Sequence, residues 1–295
     1  CVVLSLSSPL EPASRSFRLS GNTIPRSYSI HLEPDFEDDQ MVFYGISLVN
    51  FTVVRPTTDV TVHASALIHM DKDFTTMTNS HGGIERPISQ EWNPELEFFT
   101  IKFRRVLEKG DYQIEFKWKG LETINNTRSL TQGLVHRNIS DYDYVVATQL
   151  KPRGARSVFP CWDEPSYRAH FQISLKHQSN YTAISNMPVE KVVPAENAKN
   201  WTIFQETPAM SPHMINFVIG PYKKAAGDSG KVKVWFLEAG QEQQMQFLQE
   251  LAPLMIRALE DYTGIEYPLP QLNIIYVPKY NAYFAYNHFG VLIFS

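Results

Sequence analysis

Cysteine, long apolar runs and an excess of either charge are all scarce in this 295-residue chain. Two cysteines, Cys1 and Cys161, cannot build a disulfide framework. Cys161 sits in "VFPCWDEPS", where aromatic neighbours and two carboxylates disfavour a thiolate, so it reads as a buried structural thiol and not a nucleophile. The net charge is −4, with acids and bases interspersed. That pattern is a solvated surface and excludes the basic face that nucleic acid requires. The apolar start, "CVVLSLSSPLEP", is too short to span a bilayer and reads as the tail of a signal peptide. With no initiator Met at residue 1, sequence is expected upstream. A G-x-S-x-G elbow and a phosphate-binding glycine loop are both missing, which removes two common routes to hydrolase and nucleotide chemistry. Nine histidines are present, yet no H-E-x-x-H. His31 opens "HLEPD" and His213 opens "HMINF", and neither has a second His one helical turn on, so no zinc site is expected from these residues.

What is present is a large capacity for core. At 43% hydrophobic and 13% aromatic, the chain can bury one large domain or two medium ones, and its Val, Ile, Thr, Tyr and Phe lean towards strands. Alternation places Tyr28, Ile30 and Leu32 on one face of a strand, Phe99, Ile101 and Phe103 on another, and Tyr112, Ile114, Phe116 and Trp118 on a third. The turn-forming Glu108-Lys109-Gly110-Asp111 between the last two predicts a hairpin. Further strands are expected near 41–54, 59–70, 143–150, 169–176, 181–186, 201–206, 213–219 and 231–237, with Trp118, Trp201 and Trp235 buried in theirs. Many short strands with turn chemistry between them predict a mainly β fold, an antiparallel sandwich or saddle. After residue 237 the period changes. Leu248, Leu251, Met255, Leu259 and Tyr262 recur at helical spacing, Gly264 suits a C-terminal cap, and Pro253 predicts a kink or a late helix start. "LNIIYVP" and Phe289 to Ser295 then read as two buried strands.

The stretch "VVATQLKPRGARSVFPCWDEPSYRAHF", residues 145–171, resembles the signature of zinc aminopeptidases of the aminopeptidase N type, which read close to TQFEPTDARRAFPCFDEPA. Supporting stretches follow in order: "IPRSYSIHLEPDF", "AISNMPV", "ETPAMSPHMINFVIGPY", "KVKVWFLEAG" and "YTGIEYPLPQLNIIYVPKY". Together they cover about residues 16–295. The resemblance implies an N-terminal β domain followed by the opening of an α/β, thermolysin-like (gluzincin) catalytic domain. It also implies zinc as the family's cofactor, held by a later H-E-x-x-H helix that this sequence does not contain, so no cofactor is expected here. In the family, a glutamine of the TQ segment and the glutamate of a GAMEN segment hold the substrate's α-ammonium, a cation suited to carboxylate and amide oxygens. Gln149 matches that glutamine. The glutamate two residues after it is Lys151 here, and the Thr-Asp pair is Arg153-Gly154. Anchored on Gly290, the GAMEN positions fall on Phe284 to His288; with one inserted residue, Tyr286 replaces the glutamate. Neither alignment leaves a carboxylate, so Gln149, Tyr286 and Asn287 are expected to form a vestigial substrate edge with no catalytic residue.

These readings divide the chain into a residual signal or linker (1–15), the β domain (16–226) and the incomplete start of a catalytic-like domain (227–295). Three functions stay open: a non-catalytic, peptide- or protein-binding relative of the aminopeptidases; the N-terminal fragment of an active zinc aminopeptidase; or an unrelated glycan-binding sandwich. Five sequons, at Asn50, Asn125, Asn138, Asn180 and Asn200, join the signal-like start in favouring the secretory route and an extracellular or cell-surface location. No nucleic-acid partner is expected, and membrane attachment would come only through segments outside this sequence.

Overall fold

The computed structural model describes residues 16–37, 40–122, 133–140, 143–227, 230–237, 242–278 and 285–294. In chain order the strands are β1 (Thr23–Glu37), β2 (Gln40–Val53), β3 (Thr57–His63), β4 (Ile68–Met70), β5 (Thr76–Asn79), β6 (Ile84–Glu85), β7 (Ser89–Asn93), β8 (Phe98–Leu107), β9 (Gly110–Leu121), β10 (Gly133–Asn138), β11 (Tyr144–Gln149), β12 (His170–Gln178), β13 (Thr182–Ser185), β14 (Val189–Pro194), β15 (Lys199–Phe204), β16 (Phe217–Gly220), β17 (Lys223–Lys224) and β18 (Val232–Phe236). Helix α1 (Glu242–Thr263) follows, then β19 (Leu272–Tyr276), β20 (Ala285–His288) and β21 (Val291–Phe294).

Among the described residues these strands form four sheets. The largest runs β14-β15-β12-β1-β2-β9-β5-β6, with β4 beside β9, and is antiparallel except where β1 meets β12. A three-stranded sheet, β3-β8-β7, and a four-stranded antiparallel sheet, β10-β11-β16-β13, share one hydrophobic core with it. The fold is therefore mainly β and antiparallel, as the alternation predicts. Side chains Tyr28, Ile30, Leu32, Phe99, Ile101, Phe103, Ile114, Phe116 and Trp118 are all buried, because period-2 apolar strands bury one face. At the centre, Tyr28 stacks on Phe171 with centroids 4.7 Å apart, and Trp162 leans against Phe51 at 5.8 Å. Close cross-strand packing explains Gly45: a Cβ there would lie 2.2 Å from the ring of its partner Trp118.

A smaller sheet, β17-β18-β19-β21-β20, has three parallel central strands, with α1 packed on β18, so the architecture turns α/β at its C-terminal end.

Several local expectations are corrected. β8 and β9 do not form a hairpin. β8 pairs with β3 and β7, while β9 pairs with β2, β4 and β5, so the turn at 108–110 is a corner between sheets. Alternation reveals which face is buried but not which neighbour supplies the ladder. The expected strand over 59–70 is two, β3 and β4, and the one over 213–219 begins only at Phe217, after a 3₁₀ turn at Pro212–Met214. Helix α1 runs unbroken through Pro253 and starts eleven residues before it. Its sheet-facing side is Met245, Leu248, Gln249, Ala252 and Ile256, whereas Met255, Leu259 and Tyr262 are exposed. A helix with two apolar stripes does not announce which one packs. Here Gln249 decides it, because its side chain accepts from Val234 N–H (2.8 Å) and donates to Val232 C=O (3.0 Å), completing the ladder where β17 ends. Trp118 is buried as expected, but Trp201 and Trp235 are half-buried. Trp235 keeps its edge open to donate to Asn273 Oδ1 at 2.9 Å.

Candidate functional site

The segment from Gln149 to Glu164 joins two kinds of surroundings. Its second half, the FPCWDEP stretch, is tied into the large β domain. Arg156 donates to Asp163 Oδ2 (2.8 Å), to the Asp163 carbonyl (3.1 Å) and to Glu97 Oε2 (3.1 Å). Burial pushes the Asp163 carboxyl up, and the Arg156 guanidinium offsets part of that. Asp163 N–H donates to His63 Nδ1 at 3.2 Å, and His63 packs edge-on against Phe98. Glu164 accepts from Leu19 N–H (2.7 Å) and Arg18 (3.0 Å), while Trp162 donates to Thr23 (3.0 Å). Cys161 is fully buried, and desolvation raises its thiol well above the usual value, so it is a packing residue.

The first half meets the smaller sheet along a seam of buried amides. Thr148 Oγ1 donates to Phe217 C=O (3.3 Å) and accepts from Phe217 N–H (2.9 Å), and Asn216 donates to Thr148 C=O (3.2 Å). Asn186 accepts from Asn216 N–H (2.8 Å) and donates to Met214 C=O (3.0 Å) and Phe289 C=O (2.6 Å). Asn273 donates to Ser185 C=O (3.0 Å). Buried amides of this kind hold only if each partner is present. Gly290 completes the seam: its φ is +82°, and a Cβ would lie 2.3 Å from Asn186 O. The quoted "AISNMPV" and "SPHMINF" stretches thus stitch the β domain to the C-terminal sheet.

The expected site residues lie on this seam. Gln149 ends β11 and is almost fully buried. Asn287, in β20, is exposed. The structure brings their segments together through Lys151, whose Nζ donates to the Asn287 carbonyl and to Asn287 Oδ1 (3.3 Å). Tyr286 pairs through its backbone with Ile293; its side chain lies outside the described residues. Two residues not singled out as a site stand beside them. His288 is 6% exposed, and neither ring nitrogen closes a hydrogen bond. Desolvation first, then the charges of Lys151 and His213, lower it to about 3, only partly offset by the His213 backbone. His213 is half-buried and also lowered, chiefly by desolvation, with Asp163 opposing and Lys151 adding to the effect. Burial lowers Lys151 as well. No carboxylate among the described residues forms an ion pair with Lys151. The signal that could have found this cluster was Lys151 itself, a cation in a glutamate's place.

Among the described residues no group of three or more His, Cys, Asp or Glu is close enough to hold a metal. Of the sequons, Asn50, Asn138 and Asn180 are exposed and Asn200 is half-buried; Asn125 lies outside the described residues. The Asn50 amide already donates to Ser27 and accepts from Gln113, both at 2.9 Å. No described helix is long and apolar enough to cross a membrane.

A family model described as the peptidase M1 N-terminal domain matches residues 24–214. Aminopeptidase M1-A of Oryza sativa subsp. japonica is 31% identical over 292 residues, which cover 94% of this chain and 31% of the rice protein. The thyrotropin-releasing hormone-degrading ectoenzyme of Homo sapiens is 29% identical over 295 residues, 97% of this chain and 26% of its own. Aminopeptidase N of Acetobacter pasteurianus is 26% identical over 284 residues, 94% of this chain and 75% of its own. The chain therefore spans less than a third of the rice and human relatives it matches.

Proposed function

The chain belongs to the peptidase M1 family, and on that premise we propose that it binds peptides, or a protein partner presenting one, without hydrolysing them. One observation carries the reading: the Lys151 ammonium donates to Asn287 on the edge where the family resemblance places recognition of a peptide's own ammonium. A cation of the chain occupies those acceptors, and a second cation brought by a peptide would be repelled and desolvated there. The zinc of the family does not fit the described residues, which offer no donor set for it, and the proposal contains no step at a metal. In this reading Gln149 and Asn287 are vestiges of amine recognition, with Tyr286 in the same strand, and the division between β domain and catalytic-like unit falls near residue 226. The exposed Asn50, Asn138 and Asn180, with a relative named as an ectoenzyme, support a secretory, glycosylated protein.

The test uses tetrapeptides with a free or an acetylated amino terminus, titrated into the 295-residue chain by calorimetry. Binding that acetylation leaves within about twofold supports the proposal. Binding that requires the free amine, or no binding of either peptide, contradicts it. A second reading, that these residues are the front of a zinc-dependent aminopeptidase, is favoured by the lengths of the rice and human relatives. A transcript reading on past Ser295 into an H-E-x-x-H helix, whose product releases amino-terminal residues, would establish it.

A further inference from the structure

We propose that the cluster of Lys151, His213 and His288 is a carboxylate-binding site, so that the seam reads an acidic group of a peptide where its relatives' resemblance implies a basic one. The inference rests on reading the seam as peptide-facing and adds the chemistry of what it takes.

Three observations carry it. First, His288 is buried, and neither ring nitrogen closes a hydrogen bond of ordinary geometry; the His213 backbone approaches the ring without closing one. A buried polar ring is ordinarily hydrogen-bonded, and one left open marks a place for a ligand atom; on the same seam Asn216 Oδ1 is also buried and open. Second, the groups around it share one sign. The Lys151 ammonium is the standing positive charge beside His288, His213 adds to it only when protonated, and Asp163, the carboxylate that opposes the lowering of His213, is held by Arg156. Third, Lys151 spends its bonds on neutral oxygens of Asn287, among the described residues without a countercharge. An ammonium has three donors, so a carboxylate can join without displacing Asn287. A carboxylate oxygen would accept from Lys151 Nζ and from a His288 or His213 N–H, charge-assisted contacts worth more than neutral ones. The paired contrast lies within the same segment: Arg156 has two carboxylates and Lys151 has none.

The experiment uses four probes of similar size on the 295-residue chain: N-acetylalanine (a terminal carboxylate), N-acetylaspartic acid α-amide (a side-chain carboxylate), N-acetylalanine amide (neutral) and alanine amide (cationic). Binding is followed by calorimetry and by the imidazole resonances of His288. At least one acid is expected to bind ten times or more tighter than the neutral amide and to move the His288 resonances. The two acids distinguish a C-terminal from a side-chain source. In Lys151→Glu that preference is expected to vanish and alanine amide to gain affinity. Lys151→Met, which keeps the stem, is expected to lose acid binding without gaining the cation. Equal binding of acid and amide, a preference for alanine amide in the unaltered chain, or no shift at His288 with any probe overturns the proposal. Tetrapeptides that bind regardless of acetylation while these probes show no charge preference would overturn this inference alone. Acid binding by the small probes with no tetrapeptide bound would overturn the peptide reading alone.

Discussion

Two buried histidines sit near opposite ends of one segment. His63 and His288 are both pushed down to about 3, with desolvation the largest cause in each. Yet His63 is accounted for: its Nδ1 accepts from Asp163 N–H, Phe98 packs against it, and the nearby Arg156 is countered by Asp163 and Glu97. His288 has the same depressed basicity, closes no hydrogen bond of ordinary geometry, and stands near Lys151, which has no ion pair among the described residues. The difference separates structure from potential function. A buried charge network with every partner in place holds a fold, whereas an open buried ring beside an ammonium that lacks an ion pair among the described residues is the kind of position where function is sought.

The comparison can be broken most forcefully at Arg156. Arg156→Ala leaves Asp163 buried without its cation and is expected to cost about 3–5 kcal/mol, read from the urea midpoint. If that cost is no greater than the cost of altering Lys151, the two ends do not differ as described. Acid provides the next test. Each histidine is neutral in the fold at pH 5, while the unfolded chain takes up protons below about 6.5, so stability is complete above that value and falls as pH drops towards 3. Near pH 4.5 each ring should account for roughly 2–3 kcal/mol. His288→Gln should remove one share of the slope, and a melting temperature flat between pH 7 and 4 would contradict both assignments. At the seam, Gly290→Ala forces a Cβ against the Asn186 carbonyl at positive φ and should cost about 2 kcal/mol, visible as faster hydrogen exchange in β19 and β21. Smallest is Lys151→Met, expected within about 0.5 kcal/mol of the parent in urea, because its ammonium bonds only at a half-exposed edge. A larger loss would make Lys151 a structural residue.

Much of the fold was legible because a two-residue period with apolar strands admits few alternatives, and Tyr28, Ile101 and Phe116 occupy the buried faces their spacing implies. Partner choice was not legible. Leu107 and Gly110 read as two arms of a hairpin, but one belongs to the three-stranded sheet and the other to the large one. The packed stripe of α1 was also hidden, since Gln249, a polar residue, anchors it through hydrogen bonds to β18. At the site, family resemblance picked out Gln149 and Asn287, but their meeting through Lys151 is a contact 136 residues apart in sequence that no local pattern encodes. Asn186, Asn216 and Asn273 went unremarked for the same reason: a buried amide is recognised by its partners, and those lie on other strands.

The most direct measurement is the imidazole titration of His288 by NMR, assigned through His288→Gln, in the unaltered chain and in Lys151→Glu. A ring that stays neutral to about pH 3 and titrates at a higher pH once Lys151 becomes Glu is the predicted result. A ring that titrates near 6.5 in both proteins would contradict it, because His288 would then be neither desolvated nor under the charge of Lys151.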